Sequence, residues 1–274
     1  MSSEIHPLDE YIRTDRLPTV WCSGCGIGIA FGVFIRAAAE LNLFDKLVVV
    51  SGIGCTGRAA GYIFTDSIHP THGRAIPVAT AIKLVKPELK VAVFSGDGDL
   101  FSIGGNHFIH GARRNIDMTV ICINNFIYGM TGGQVAPTTP IGSLTQTTPY
   151  GSPEPDFNLV ALAGATGATF IARWTVAHPN HLKKSIKKAF QRKGFSFIEV
   201  IAPCPTQFGR YNRLGTALDQ LKDVKKKSVL KHGINPQDAK IDLKEEIYIG
   251  EFLEIERPEY SDTLFRTTKT PQKG

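Results

Sequence analysis

Three kinds of segment are missing from this sequence of 274 residues. No apolar run approaches the roughly 18 residues that a membrane-spanning helix needs, so we predict no membrane contact. Residues 1–20 are polar and contain no apolar signal segment, so we expect a cytoplasmic protein. Although the net charge is +6, the basic residues follow no recognition motif for nucleic acid, and we expect no nucleic-acid partner.

Internal repeats are also absent, and a single α/β pattern extends over most of the chain. Short apolar segments predict strands at residues 47–50, 91–95, 118–123, 169–172 and 195–201. Segments of helical length alternate with them, at residues 27–41, 75–86, 105–114, 159–165 and 178–192. This alternation predicts an α/β fold with a doubly wound, mostly parallel sheet. We assign residues 1–205 to this domain and residues 206–274 to a C-terminal extension that packs on the core or on a partner subunit.

Two polar motifs directly follow predicted strands. Residues 96–99 (GDGD) come after one strand, and residues 124–125 (NN) come after the next. In an open parallel sheet, ligands bind beyond the carboxyl ends of the strands, and glycines let a phosphate approach the main chain. Mg²⁺ prefers oxygen ligands and commonly shares them with a phosphate. We therefore predict that Asp97, Asn125 and the main-chain carbonyl of Ile127 bind a divalent metal beside a diphosphate.

The cysteines indicate a second centre. Disulfides are improbable in a reducing cytoplasm, and Cys122 lies inside an apolar strand, where a free cysteine commonly behaves as a small buried hydrophobe. The other cysteines form a CxxC pair and two single residues near strand ends, namely Cys22, Cys25, Cys55 and Cys204. Four thiolates suit either a tetrahedral zinc ion or a [4Fe-4S] cluster, and the spacing does not choose between them.

The GDG and NN motifs resemble those of the thiamine diphosphate enzymes. With the cysteines added, the chain resembles the β subunits of the 2-oxoacid:ferredoxin oxidoreductases, which have a diphosphate-binding α/β fold. The resemblance includes residues 21–26 (WCSGCG), 52–55 (GIGC), 72–74 (HGR), 96–99, 124–134 (NNFIYGMTGGQ), 136–140 (APTTP), 249–252 (IGEF) and 256–259 (ERPE). The YGMTGGQ form is more similar to the 2-oxoglutarate branch than to the pyruvate branch, and branched-chain 2-oxoacid enzymes are the second choice.

The resemblance implies roles for individual residues. It implies that one [4Fe-4S] cluster is bound by Cys22, Cys25, Cys55 and Cys204, and that Mg²⁺ is bound by Asp97, Asn125 and Ile127. It places near thiamine diphosphate the residues Ile53, Gly54, Cys55, Thr56, His72, Gly98, Asp99, Gly129 and Met130. His72 and Arg74 become candidates for the catalytic residues, the alternative for His72 being a loop histidine that is hydrogen-bonded to the main chain.

One position departs from the family pattern. Some relatives have a lysine where Gly132 stands, and that lysine is thought to help hold the 2-oxoacid. Here a positive charge for the substrate must come from elsewhere, and Arg58, Arg74 or a partner chain are the candidates. Gly132 lies in a loop at residues 126–156 that is rich in Gly, Pro and Thr, and we predict that this loop covers the cofactor.

The activity implied by the resemblance is a reversible oxidative decarboxylation. It converts 2-oxoglutarate and coenzyme A to succinyl-CoA and CO₂, and it reduces ferredoxin. Thiamine diphosphate enzymes also need a glutamate from a pyrimidine-binding domain, for which a single α/β pattern leaves no room. We therefore expect an α subunit to complete the active site in an αβ or α2β2 assembly, with small ferredoxin-like subunits as possible additions.

Two other classes of protein fit part of the sequence. A non-redox 2-oxoacid decarboxylase subunit would share the GDG and NN motifs but would have no use for four cysteines near strand ends. A non-catalytic scaffold would use the same cysteines for structural zinc.

Lysine-rich segments at residues 183–193 and 222–227 have two interpretations. They offer a basic surface to an acidic ferredoxin. For the first segment, the alternative is the solvated face of an amphipathic helix, because Leu182, Ile186 and Phe190 recur at helical spacing.

Overall fold

The computed structural model describes residues 6–269. Its main sheet has eight strands in the order β2-β1-β3-β4-β8-β7-β10-β9. These strands are β1 (Leu47–Ser51), β2 (Asp66–Ile68), β3 (Lys90–Gly96), β4 (Met118–Asn124), β7 (Phe170–Thr175), β8 (Phe195–Ile201), β9 (Ser228–Leu230) and β10 (Ile247–Glu254). A separate short hairpin consists of β5 (Ile127–Tyr128) and β6 (Gln134–Val135). All neighbouring strands of the main sheet are parallel except β7 and β10.

Helices cover both faces of the sheet. They are α1 (Ile27–Glu40), α2 (Ala75–Val85), α3 (Gly105–Arg113), α4 (Leu159–Thr166), α5 (Pro179–Gln191), α6 (Ala217–Lys227) and α7 (Tyr260–Lys269). Apolar side chains of α1 and α5 pack on one face, and those of α2, α3 and α4 pack on the other. The predicted doubly wound α/β sheet is therefore confirmed. Among the described residues, no helix combines the length and the apolar character needed to cross a membrane.

Burial explains why the central strands could be recognised from sequence. Every residue of β1, β4, β7 and β8 is buried, since helices lie on both sides of a parallel sheet. Each of these strands therefore reads as a nearly continuous apolar run. The predicted amphipathic helix is also confirmed, because Leu182, Ile186 and Phe190 of α5 are buried against the sheet.

Sequence analysis missed the strands contributed by the last part of the chain. β10 pairs with β7 in antiparallel register, with a bulge between Glu251 and Leu253, and β9 pairs with β10 at the end of the sheet. Residues beyond 205 thus complete the central sheet, while the domain boundary at that position stays a prediction. β10 escaped notice because it contains Gly250 and two glutamates among its apolar residues.

Candidate functional site

Asp97 lies at the carboxyl end of β3, where it is almost fully buried. Its carboxylate is 2% exposed and accepts a hydrogen bond from the hydroxyl of Thr138, which reaches it from the long loop. Burial raises the pKa of Asp97 to about 7, because a charge in this position loses its water. A bound cation would compensate the charge and keep the carboxylate ionised.

Asn125 and Ile127 face this carboxylate from the end of β4. One terminal atom of the Asn125 amide lies 3.3 Å from Asp97 Oδ1 and 2.7 Å from the main-chain oxygen of Ile127. If this atom is nitrogen, it donates to both oxygens. If it is oxygen, three oxygens converge and a cation is needed between them. Rotation of the amide exchanges the two arrangements, so the donor set fits Mg²⁺, which prefers oxygen ligands.

Asp99 joins three segments at the same edge of the sheet. Its Oδ1 accepts from the main-chain N–H groups of Ile53 at 3.1 Å and Gly73 at 2.8 Å, and its Oδ2 accepts from the Ser95 hydroxyl at 2.7 Å. His72 Nδ1 lies 2.6 Å from Oδ1, although it is not aligned for a hydrogen bond. This carboxylate therefore fixes the loop after β1 and the loop before α2 relative to β3.

Close approach of these segments depends on two glycines. A Cβ on Gly52 would lie 2.0 Å from Ser95 Oγ and 2.2 Å from Asp99 Oδ2. A Cβ on Gly98 would lie 2.5 Å from the ring of Tyr128, whose hydroxyl donates to the Gly98 carbonyl at 2.9 Å. A side chain at either position would push the segments apart, so the space around both aspartates depends on the glycines.

Three other residues expected near the cofactor, and the candidate catalytic residue Arg74, have varied surroundings. Thr56 is buried at the start of a short 3₁₀ helix, and Gly54 has a left-handed φ of 106° with open space where a side chain would be. Met130 is 46% exposed. Arg74 is exposed, and its guanidinium donates to the His72 carbonyl at 3.3 Å. Arg74 thus lies beside His72 in sequence and in space.

The structure brings four cysteines together and keeps the fifth apart. Cys122 is fully buried in the apolar core, as predicted. Burial and the neighbouring thiols of Cys204, Cys25 and Cys22 raise the pKa of Cys55 to about 12. Burial likewise raises the pKa of Cys25 to about 11 and raises that of Cys204. Thiols that affect one another in this way form a single cluster, which we call the cysteine cluster.

The CxxC segment of this cluster is a tight turn. The Cys25 N–H donates to the Cys22 carbonyl at 3.0 Å. Gly24 between them has a φ of 77°, and a Cβ there would lie 2.3 Å from the Cβ of Ala217 at the start of α6. Only glycine fits this turn, which places Cys22 at the surface.

The cysteine cluster fits an iron–sulfur cluster by the chemistry of its donors. Within residues 6–269, no group of three or more His, Cys, Asp or Glu side chains is close enough together to hold one metal ion. In a [4Fe-4S] cluster each thiolate binds a different iron atom, so its ligands need not converge on one point. Binding to iron would also deprotonate thiols whose pKa is raised by burial.

Gly129 connects the two parts of the site. A Cβ on this residue would lie 3.6 Å from the sulfurs of both Cys55 and Cys204, and 4.0 Å from the Asn125 amide nitrogen. The cysteine cluster is therefore adjacent to the turn that carries the oxygen donors, and the glycine leaves open space between them.

Gly132 has a left-handed φ of 116°, and its carbonyl accepts from the Tyr211 hydroxyl at 3.1 Å. A lysine here would be strained, because side-chain-bearing residues rarely adopt this conformation. The substitution noted in some relatives would therefore need a different turn.

Sequence analysis did not assign roles to Ser95, Tyr128 and Thr138, although each contacts the motif residues directly. Tyr128 and Thr138 lie within residues 124–134 and 136–140, two of the segments that resemble the family. That resemblance was the sequence signal for their roles. The hydroxyls of Tyr128 and Thr138 reach their partners across the fold, and spacing along the chain does not reveal such contacts. The Ser95 contact is local, because Ser95 stands four residues before Asp99.

Comparisons with known proteins identify the family of the chain. Residues 52–200, more than half of the chain, match the C-terminal TPP-binding domain of the thiamine pyrophosphate enzymes. The 2-oxoglutarate synthase subunit KorB of Methanocaldococcus jannaschii is 53% identical over 96% of this chain and 97% of its own length. Subunit beta of 2-oxoacid:ferredoxin oxidoreductase 2 from Aeropyrum pernix is 44% identical over 72% of this chain and 62% of its own length.

A solved structure extends the likeness to three dimensions. It is the 2-oxoglutarate:ferredoxin oxidoreductase of Magnetococcus marinus with 2-oxoglutarate, coenzyme A and succinyl-CoA bound. The match has a TM-score of 0.83 and 31% identity, and covers 98% of this chain and 91% of that chain. The resemblance seen in the sequence is thus confirmed. With this fold and these relatives, the chain belongs to the β subunits of the 2-oxoacid:ferredoxin oxidoreductases, a family of oxidoreductase subunits.

Proposed function

We propose that this chain is the subunit of a 2-oxoglutarate:ferredoxin oxidoreductase that binds thiamine diphosphate, Mg²⁺ and one [4Fe-4S] cluster. The enzyme converts 2-oxoglutarate and coenzyme A to succinyl-CoA and CO₂ with reduction of ferredoxin, and it also catalyses the reverse reaction. The choice of 2-oxoglutarate is supported by the names of relatives at 48–53% identity and by the ligands of the similar structure.

The observation that carries the proposal is that the two donor sets lie on either side of Gly129. A Cβ on Gly129 would lie 3.6 Å from the sulfurs of Cys55 and Cys204 and 4.0 Å from the Asn125 amide nitrogen. When bound, thiamine diphosphate supplies an electron sink for decarboxylation, and an iron–sulfur cluster supplies one-electron transfer. A decarboxylase without redox chemistry has no need for thiols at this position, whereas an oxidoreductase needs its electron acceptor here.

In this proposal, Asp97, Asn125 and the carbonyl of Ile127 bind Mg²⁺, which holds the diphosphate. Thr138 donates to the carboxylate of Asp97 and limits its rotation. Gly98, between the two aspartates, lets the Tyr128 ring pack closely against the main chain beside the metal ligands. These groups orient the cofactor and exclude water, while the reactivity comes from the cofactor itself.

His72 and Arg74 are the proposed groups for the substrate. The Asp99 carboxylate lies 2.6 Å from His72 Nδ1 and orients the imidazole, so that Nε2 is the ring nitrogen left for substrate or cofactor. Arg74 follows in the same loop, is exposed, and offers a guanidinium to a substrate carboxylate. Arg58 is also exposed and is the second candidate for this charge.

An α subunit that carries the pyrimidine-binding domain is the proposed partner, in an αβ or α2β2 assembly with ferredoxin as the electron acceptor. Apolar side chains near the site support a covering partner, since Ile103 is 48% exposed, Ile141 is 60% exposed and Tyr150 is fully exposed. A reducing cytoplasm suits the free thiols of the cysteine cluster.

The test is an anaerobic visible spectrum of the chain with its co-purified partner, in the presence of thiamine diphosphate and Mg²⁺. We expect broad absorbance from the cluster that bleaches when 2-oxoglutarate and coenzyme A are added. Bleaching only with pyruvate or a branched-chain 2-oxoacid would change the substrate assignment. A colourless preparation that contains zinc in place of iron would contradict the redox function.

A further inference from the structure

An ion pair without exposure to solvent lies beneath the proposed metal-binding turn. Arg173 Nε is 2.7 Å from Glu199 Oε2, and both side chains are 0% exposed. The two residues are neighbours in register on the parallel strands β7 and β8. Taking two charges out of water commonly costs as much as their attraction returns, so stability alone does not account for this pair.

The second oxygen of Glu199 determines how the first asparagine of the NN motif is oriented. Asn124 Nδ2 donates to Glu199 Oε1 at 2.8 Å, and Asn124 is 1% exposed. A carboxylate only accepts hydrogen bonds, so the amide nitrogen must face Glu199 and the amide oxygen must face away. That oxygen accepts from the main-chain N–H of Phe126 at 3.1 Å.

Phe126 is the residue on which the turn depends. It has a left-handed φ of 64°, which an aromatic residue rarely adopts. Besides the bond to Asn124, its carbonyl accepts from the Thr139 hydroxyl at 2.6 Å. Phe126 stands between Asn125 and Ile127, so its conformation decides where the amide of one and the carbonyl of the other are directed.

We propose that Glu199 is a positioning residue for the metal site and acts through Asn124. Its carboxylate fixes the Asn124 amide, the amide fixes the left-handed Phe126, and this turn aims the oxygen donors of Asn125 and Ile127 at Asp97. Arg173 compensates the charge of the buried Glu199 carboxylate. The guanidinium of Arg173 also donates from Nη1 to the Ala239 carbonyl at 2.5 Å. The inference rests on the proposed function for the identity of the metal.

Two matched double variants test whether the acceptor or the ion pair matters. Arg173→Met with Glu199→Gln removes both charges and keeps a side-chain oxygen that accepts from Asn124. Arg173→Met with Glu199→Leu removes both charges and also the acceptor. Replacing a buried ion pair by uncharged groups of similar size is commonly tolerated, so both variants are expected to fold.

The measurement is Mn²⁺ binding, followed by electron paramagnetic resonance on the complex of chain and partner that has been stripped of Mg²⁺ and supplied with saturating thiamine diphosphate. We expect the Glu199→Gln variant to bind within about threefold of the wild type. The Glu199→Leu variant should bind about 10-fold to 100-fold more weakly, the range found when a residue that orients a metal ligand is lost. Equal affinities in the two variants, whether high or low, would overturn the proposal.

Thermal unfolding without metal separates positioning from folding. Similar midpoints for the two variants, together with different Mn²⁺ affinities, are the expected result. Should both double variants fail to fold, Asn124→Ala replaces them, because it removes the same connection and leaves the ion pair intact. Wild-type affinity in that variant would also overturn the inference, whereas failure of the wild type itself to bind Mn²⁺ would contradict the proposed function.

Discussion

The carboxyl edge of the sheet and the surface of α5 differ in how the charges of their side chains are compensated. On α5, Lys183 and Lys187 share Glu40 at 2.5 and 2.9 Å, and Lys188 bridges two glutamates of β10 at 2.9 and 2.5 Å. At the carboxyl edge, Asp97 is buried, and its hydrogen-bond partners are the Thr138 hydroxyl and main-chain N–H groups, all of them neutral.

This difference distinguishes structural charge from functional charge. The lysines of α5 are compensated by carboxylates of the same chain, so they fasten the helix to its neighbours and leave less charge for a partner. The hydrogen-bond partners of Asp97 carry no charge that would compensate its carboxylate, and the raised pKa of Asp97 reflects the cost of burying that charge. A buried carboxylate of this kind is typical of a site completed by a ligand.

The largest effect is expected for Asp97→Asn. This change removes the charge that holds Mg²⁺, so thiamine diphosphate should bind at least about 100-fold more weakly, because loss even of an outer-shell residue commonly costs 10-fold to 100-fold. The free energy of unfolding should not fall, since a buried charge is removed. Calorimetric titration of thiamine diphosphate with Mg²⁺ measures the first effect, with the surface change Asp262→Asn as control. Tight binding by Asp97→Asn would mean that the metal lies elsewhere.

The next effect concerns the cysteine cluster. Cys204→Ser should abolish the visible absorbance and most of the bound iron in anaerobic preparations, because a [4Fe-4S] cluster needs its thiolates. The matched control is Cys122→Ala, a change at a buried cysteine outside the cluster, which should keep the iron. Iron analysis and spectra of the two variants test the assignment. Full iron content in Cys204→Ser would exclude Cys204 as a ligand.

A smaller effect is expected on α5. Lys188→Met removes a partly exposed bridge to two glutamates and should lower the free energy of unfolding by about 0.5–1 kcal/mol at low salt. The loss should shrink at high salt because ions screen such pairs. Lys184→Met changes an exposed lysine of the same helix and serves as the control. A loss in Lys188→Met that does not depend on salt would argue against an electrostatic origin.

The smallest effect is a dependence on pH at the start of α5. Burial, followed by the charges of His181 and Lys225, lowers the pKa of His178 below its usual 6.5. The folded chain therefore favours neutral His178. The contribution of this residue to the free energy of unfolding is fully present above pH 6.5 and declines as the pH falls below that value. His178→Gln should make the unfolding midpoint less sensitive to acid between about pH 6.5 and 5. An unchanged dependence in this variant would assign the acid sensitivity to other groups.

The sequence was informative where local pattern and burial coincide. Strands such as β4 are buried along their whole length, and the GDG and NN motifs stand directly at strand ends, so spacing alone indicated the carboxyl edge. It was less informative for β10, whose pairing with β7 joins segments far apart in the chain. The kind of metal centre expected at the cysteines was likewise inferred from family resemblance, because CxxC and single cysteines serve several kinds of metal site.

The sequence alone predicted the doubly wound sheet, the edge at which we expect ligands and the types of donor atom present there. These follow from hydrophobic periodicity and from residues that adjoin strand ends. The tertiary structure was needed to see that Thr138 reaches Asp97, that Asp99 ties three segments together and that Glu199 accepts from Asn124. The physical reason is that a hydrogen bond depends on direction and on distances near 3 Å, whereas hydrophobic burial depends mainly on which face of an element is apolar.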